Sequence, residues 1–240
     1  MPRAARIRSS DCLYHVTARG NGRIPILATD ADRRVLLATL RDAVGEFGWR
    51  CHSYCVMNTH YHLLLETPKV NLPEGMQWLN GTYGTRFNSA HDRSGHVFQG
   101  RYDARLIRGH EHALEVSRYI PLNPVRAGGC TDPSQWPWSS FRATIGMAPV
   151  PPFLSTGSVL RWFGEGAAAR AAYRAFVLEG IGVRDPRSAA LARILGGSTS
   201  DRIRYAHEEC GYPLREIADH IGVHHTTLMR RLRADAPKGV

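Results

Sequence analysis

The sequence predicts an α+β sandwich, an antiparallel sheet with helices packed on it, followed by an all-α C-terminal region. Two observations carry this reading. Segments of period-two and of helical hydrophobic spacing follow one another as strand, helix, strand, strand, helix, strand, helix. Beyond Asn123–Pro124 the chain turns first Pro-rich and then Ala-rich, which favours helix.

Residues 11–18, "DCLYHVTA", read as a strand closed by the turn "RGNGR". Residues 30–47 place Val35, Leu36, Leu40 and Val44 at helical spacing, with Asp30 as N-cap and Gly48 as the stop. "RCHSYCVM" (50–57) and "HYHLLLET" (60–67) form a hairpin about Asn58–Thr59. A helix over 73–89 carries Trp78 and Phe87 on an aromatic side, and a strand follows over 100–107. A helix over 110–120 comes next. Pro121 and Pro124 then oppose helical geometry, which places Tyr119 in the last turn. "DPSQWPWSSFRATIG" anchors Trp136, Trp138 and Phe141 on this first domain. "MAPVPPF" is a linker, helical segments occupy 166–180 and 187–195, and "GGSTS" (196–200) marks a boundary. The expected division is a core at 1–146, a Pro-rich linker and helical connector at 147–197, and a third module at 198–240.

With 240 residues, 43% hydrophobic and 22% charged, the chain can hold one good-sized core and a small second domain. No apolar stretch is long enough to span a bilayer, and the basic N-terminus lacks the apolar segment of a secretory signal. A cytoplasmic, nucleoid-associated protein is expected, with no membrane partner. Five cysteines make no disulfide framework there, and Cys51 and Cys55 read as free buried thiols. The net charge is +10, and all but Lys69 and Lys238 of the 31 basic residues are arginine. The arginine fork grips phosphate and stacks on bases, which points to nucleic acid, although a GC-rich genome also replaces lysine with arginine.

His60 and His62 lie two apart on a strand and so share a face with Leu64, while Leu63 and Leu65 face the core. Two imidazoles begin a divalent site but do not complete it, and taken alone such a pair in a strand is more often structural than a metal site. Tyr119 and Asn123 are four apart, one helical turn: the amide oxygen could complete a mixed N/O site for magnesium or manganese, with the tyrosine hydroxyl beside it as a nucleophile.

"YHVTARGNGR", "GWRCHSYCVMNTHYHLLLET", "GMQWLNGTYGTRFN", "SGHVFQGRYDARLI", "SRYIPLNPVRAG" and "WPWSSFRA" occur in this order. Together they resemble the single-tyrosine HUH transposase superfamily, in particular its REP-associated branch, over residues 8 to about 145. The resemblance implies a ferredoxin-like sheet, His60 and His62 as ligands of Mg2+ or Mn2+, Asn123 as third ligand and Tyr119 as nucleophile. It implies a transposase that nicks and rejoins single-stranded or hairpin DNA through a 5′-phosphotyrosine. Arg19 and Arg101, within two of the motifs, are the core's candidate DNA contacts, and relatives with one tyrosine often pair as homodimers. Three departures stand out: Asn58–Thr59 where Pro-Asn is frequent, Pro121 where His is common, and the additional C-terminal third.

"PLREIADHIGVHHTTLMRRLR" (213–233) has the pattern of a helix-turn-helix resembling that of replication initiators. Ile217, Ala218 and Ile221 form one apolar face, Gly222 the turn, and Val223, Leu228 and Leu232 face back. His224, His225, Thr226 and Thr227 would meet duplex DNA at the start of the second helix, with Arg230 and Arg231 on phosphates. The competing reading is a catalytically silent DNA-binding regulator. A nucleotide hydrolase with alternating histidines would need His at 64, where this chain has Leu.

Overall fold

The computed structural model describes residues 11–182, 191–192, 194–196, 199–209 and 214–234. Most of the helix expected over 187–195, part of "GGSTS" and Pro213 lie outside the described residues.

Strands β1 (Cys12–Arg19), β2 (Arg50–Val56), β3 (His60–Thr67) and β4 (Asp103–Leu106) form one sheet in the order β2-β3-β1-β4, antiparallel throughout. This is the ferredoxin-like order. Its helices are α1 (Asp30–Phe47) and α2 (Leu72–Ala90). Leu36, Leu40, Met76, Leu79 and Tyr83 bury against Val16, Tyr61, Leu63 and Leu65 of the strands. Alternation explains which strand residues these are: β1 gives its even-numbered residues to this core and turns its odd-numbered ones to the other face.

Several details differ from the sequence reading. Thr29, not Asp30, caps α1, in a capping box with Asp32. The fourth strand is shorter than expected, because residues 100–102 leave the ladder. On α2 the buried spacing runs Leu72, Met76, Leu79, Tyr83, Phe87, so Trp78 falls off it and is exposed. The hairpin holds: Met57 N–H donates to the His60 carbonyl at 2.9 Å and leaves Asn58–Thr59 as the turn. That turn is tied down by Arg33, which donates to Asn58 Oδ1 at 2.7 Å. Arg33 itself lies over Trp138 at 5.4 Å. Trp136 donates to the Val56 carbonyl at 3.0 Å and Phe141 is buried, so "WPWSSFRA" does anchor on the sheet. Cys51 and Cys55 are free and buried, and burial pushes the Cys51 thiol up to about 12.

The largest departure is α3, which runs His110–Arg126 straight through Pro121 and Pro124. Tyr119 therefore sits two turns before the helix ends, and its i,i+4 relation to Asn123 is kept. After α3 come the short helices α4 (Phe141–Thr144) and α5 (Thr156–Leu160), then α6 (Gly166–Leu178).

The chain divides into two compact units, one of Met1–Leu106 with Ser117–Ile181, the other of Ile107–Val116 with Gly182–Val240. Within the second, α7 (Ser200–Arg204), α8 (Leu214–His220) and α9 (His225–Ala234) share a core of Ile203, Ala206, Ile217, Ala218 and Leu228. Gly222 turns between α8 and α9 with φ +73°, a conformation that glycine supplies without strain. Val223 does not face back as expected: it lies in the turn itself and is exposed. Among the described residues no helix is long and apolar enough to cross a membrane.

Candidate active site

The face of the sheet opposite α1 and α2 is where the chemistry gathers, and strand register decides which residues meet. Thr17 lies opposite His62 and Arg19 opposite His60 across the β1–β3 ladder. Odd positions of β1 thus stand beside the even histidines of β3. His62 Nδ1 is within hydrogen-bond distance of His15 Nε2 (3.0 Å) and Thr17 Oγ1 (3.1 Å). His60 Nδ1 is 3.0 Å from Thr59 Oγ1. In both imidazoles the Nδ1 atom is engaged, which fixes ring orientation and leaves Nε2 as the other ring nitrogen.

His62 is 5% exposed, and its Nε2 is buried without a hydrogen-bond partner. A buried polar atom with no partner is costly unless something else meets it, and a lone-pair donor there fits a metal ion. Burial first, and Arg19 second, depress the His60 pKa to about 4. Burial, then His15, His60, Arg19 and Arg126, hold His62 well below the usual histidine value. Both rings are therefore neutral near pH 7 and can offer a lone pair.

Tyr119 reaches this pair from α3. Its ring centroid lies 5.5 Å from that of His62 and 5.5 Å from that of His15, edge-on to each. Arg126, two turns further along α3, places its guanidinium 4.8 Å from the centre of the Tyr119 ring. Asn123 donates through Nδ2 to the carbonyls of Tyr119 (2.9 Å) and Ile120 (3.2 Å), which leaves Oδ1 as the amide atom available to a ligand. Among the described residues no three His, Cys, Asp or Glu side chains cluster as a metal site.

Of the residues expected from sequence, His60, His62 and Tyr119 come together, with Asn123 one turn from Tyr119 and Arg19 exposed beside His60. Arg101 is elsewhere. It lines a groove of about 630 Å³ between α2 and residues 95–102, with Gln77, Asn80, Gly81, Asn88 and Gln99. Gln99, in the groove lining, donates its N–H to the Arg19 carbonyl at the end of β1 at 2.9 Å. Asn80 accepts from the Tyr61 phenol and Asn88 donates to the Gly95 carbonyl at 2.9 Å. These contacts use the Asn80 amide oxygen and the Asn88 NH2 and fix both side chains. In the second unit His224, His225, Thr226, Thr227, Arg230 and Arg231 are all exposed at the start and along α9.

Sequence reasoning gave no role to His15, Thr17 or Arg126. His15 and Thr17 share a strand face by the same period-two rule that paired His60 with His62, and Arg126 follows Tyr119 by seven residues, two helical turns.

Residues 8–123 match the family model described as transposase, IS200-like. No curated protein matches the chain. Among solved structures, that of a REP-associated tyrosine transposase bound to a REP hairpin aligns with a TM-score of 0.55 at 18% identity, over 65% of this chain and 92% of that one. It bears on the fold alone. A candidate transposase of Deinococcus radiodurans is 25% identical with a TM-score of 0.37, over 50% of this chain and 95% of that one.

Proposed function

We propose that the chain is an IS200-like transposase, on the family match over residues 8–123, and that it nicks and rejoins single-stranded or hairpin DNA with Tyr119 as nucleophile. The REP-associated branch is the proposed one, on the motifs from "YHVTARGNGR" to "WPWSSFRA". The observation that carries the reading is the His60–His62 pair beside the Tyr119 ring, with both Nδ1 atoms held and the Nε2 of His62 buried without a partner. His60, His62 and the Asn123 oxygen would hold a divalent ion, magnesium or manganese, which when bound supplies Lewis-acid polarisation of the scissile phosphate.

The residues then divide the work. Tyr119 Oη attacks phosphorus, a tyrosyl O–P bond forms, and the P–O3′ bond breaks. The phenol loses its proton and the departing 3′-oxygen gains one, giving a 5′-phosphotyrosine and a 3′-hydroxyl. The linkage conserves the energy of the phosphodiester, so a 3′-hydroxyl can reverse the step and join strands without a nucleotide. Arg126 and Arg19 supply positive charge where the phosphate must lie. Pro121, a departure from the family pattern, weighs only faintly for the silent-regulator reading, and α3 continues through it. Incubation with a single-stranded hairpin DNA and Mn2+ should give a covalent protein–DNA adduct that excess EDTA suppresses. An adduct formed equally well in EDTA would remove the metal from the proposal.

The unpaired strand is proposed to run from Arg19 into the amide-lined groove at Arg101, where fixed donors and acceptors meet unstacked base edges. Gly81 opens onto it: a Cβ there meets nothing within 4 Å. Gly81→Leu should therefore raise helix propensity and keep the Tm, yet weaken single-strand affinity by roughly tenfold through filling the groove. Unchanged affinity would place the strand elsewhere.

The helix pair α8–α9 is proposed as a helix-turn-helix that reads duplex DNA, with His224 to Thr227 at base edges and Arg230 and Arg231 on phosphates. Arg230→Ala with Arg231→Ala should lower the slope of log affinity against log salt by about two for a duplex-flanked site, one for each lost phosphate contact. A module used only for packing would leave the slope unaltered.

A further inference from the structure

Two prolines inside the helix that carries Tyr119 create a specific deficit. Helical N–H groups bond the carbonyl four residues back. Pro121 therefore leaves the Ser117 carbonyl without its helical donor, and Pro124 does the same to Ile120. Ser117 is 0% exposed and both prolines are buried, so water cannot make up the loss.

Side chains meet both carbonyls. Asn123 Nδ2 donates to Ile120 O at 3.2 Å. Tyr173, from α6, donates its phenol to Ser117 O at 2.9 Å in a fully buried bond. The rest of α6 and the residues just after it hold the same stretch. Phe176 lies under the Arg118 guanidinium, 4.5 Å from its carbon. Gly180 comes so near that a Cβ on it would stand 2.7 Å from Leu122 and 2.8 Å from Arg118. Ser117, Arg118 and Leu122 surround Tyr119 in sequence, and α6 lies wholly beyond the matched residues 8–123.

We propose that Tyr173 is a positioning residue for Tyr119: its hydroxyl replaces the hydrogen bond that Pro121 removes and so sets the helical turn on which the nucleophile stands. Pro121 and Tyr173 work as a pair. The proline frees the carbonyl, and the phenol couples that turn to α6. The proposal rests on Tyr119 being the nucleophile.

The pairing is testable by a double-mutant cycle on the full chain. Tyr173→Phe keeps the ring, which sits 6.0 Å from Phe141 and 5.4 Å from Phe163, and removes only the donor. It should slow single-turnover adduct formation on hairpin DNA in Mn2+ by about tenfold, the worth of one hydrogen bond, while the DNA Kd stays within twofold. Pro121→Ala restores a backbone N–H for Ser117. In that background Tyr173→Phe should cost little, and the double variant should recover the rate of Pro121→Ala. The melting temperature should follow the same cycle, with a loss for Tyr173→Phe alone and a much smaller one beside Ala at 121. A merely structural tyrosine would lower the Tm equally in both backgrounds and leave the rate on bound DNA unmoved. A full rate in Tyr173→Phe, or no recovery in the double variant, overturns the proposal. If the wild type makes no adduct, or Tyr119→Phe still makes one, the nucleophile assignment fails and this proposal falls with it.

Discussion

Tyr119→Phe is expected to abolish covalent adduct formation, a loss of roughly a thousandfold or more, while DNA affinity stays within a few-fold of wild type. The reason lies in what the substitution keeps. The aromatic ring would retain its edge contacts with His15 and His62, each at 5.5 Å, and its place under the Arg126 guanidinium at 4.8 Å. Only the oxygen proposed to attack phosphorus is removed. The readout is an SDS-resistant protein–DNA band on a labelled hairpin, beside a binding isotherm on the same DNA. A persisting band would move the nucleophile to another tyrosine. Tyr102 would be examined first, because Tyr83 is buried with its phenol donating to the Ile26 carbonyl.

His60→Ala and His62→Ala are expected to remove metal-dependent cleavage, each by about a hundredfold or more, through loss of one of the three proposed protein ligands. The fold should survive. In His62→Ala the lost packing and the lost contacts to His15 and Thr17 are offset by removal of a buried nitrogen that lacks a partner, and an atom of that kind costs about 1–3 kcal/mol. Metal linkage separates ligand loss from damage to the fold. Wild-type protein at 100 times its Kd for Mn2+ should gain about 2.7 kcal/mol of stability, seen as a rise in Tm, and neither variant should show that rise at the same concentration. Normal cleavage by either variant in EDTA-stripped, magnesium-restored buffer would take the ion away from these histidines.

Much of the sheet was legible in the sequence because local patterns govern it. Alternation marked His60 and His62 as sharing a face, Leu63 and Leu65 as core, and Asn58–Thr59 as the hairpin turn. What was not legible depended on partners far along the chain. The prolines of α3 argued locally for a helix end near Tyr119, but the donor that rescues the Ser117 carbonyl sits 56 residues away on α6. No local rule could supply it. The roles of His15 and Thr17 likewise required the β1–β3 register, which brings Thr17 opposite His62. Val223 was misplaced for the opposite reason, since helical periodicity was extended two residues back into the turn before α9. At the site, His60, His62 and Tyr119 were named from motifs, whereas the orientation of the imidazoles and the groove at Arg101 came only with three dimensions.

The most direct test of the central claim is to trap the adduct and locate it. Full-length protein is incubated with a single-stranded hairpin DNA and Mn2+, digested with nuclease and protease, and the modified peptide is sequenced by mass spectrometry. The account predicts a nucleotide joined through its 5′-phosphate to Tyr119, formed only when metal is present. A nucleotide on any other residue, or cleavage of the DNA with no protein-linked product, would contradict it.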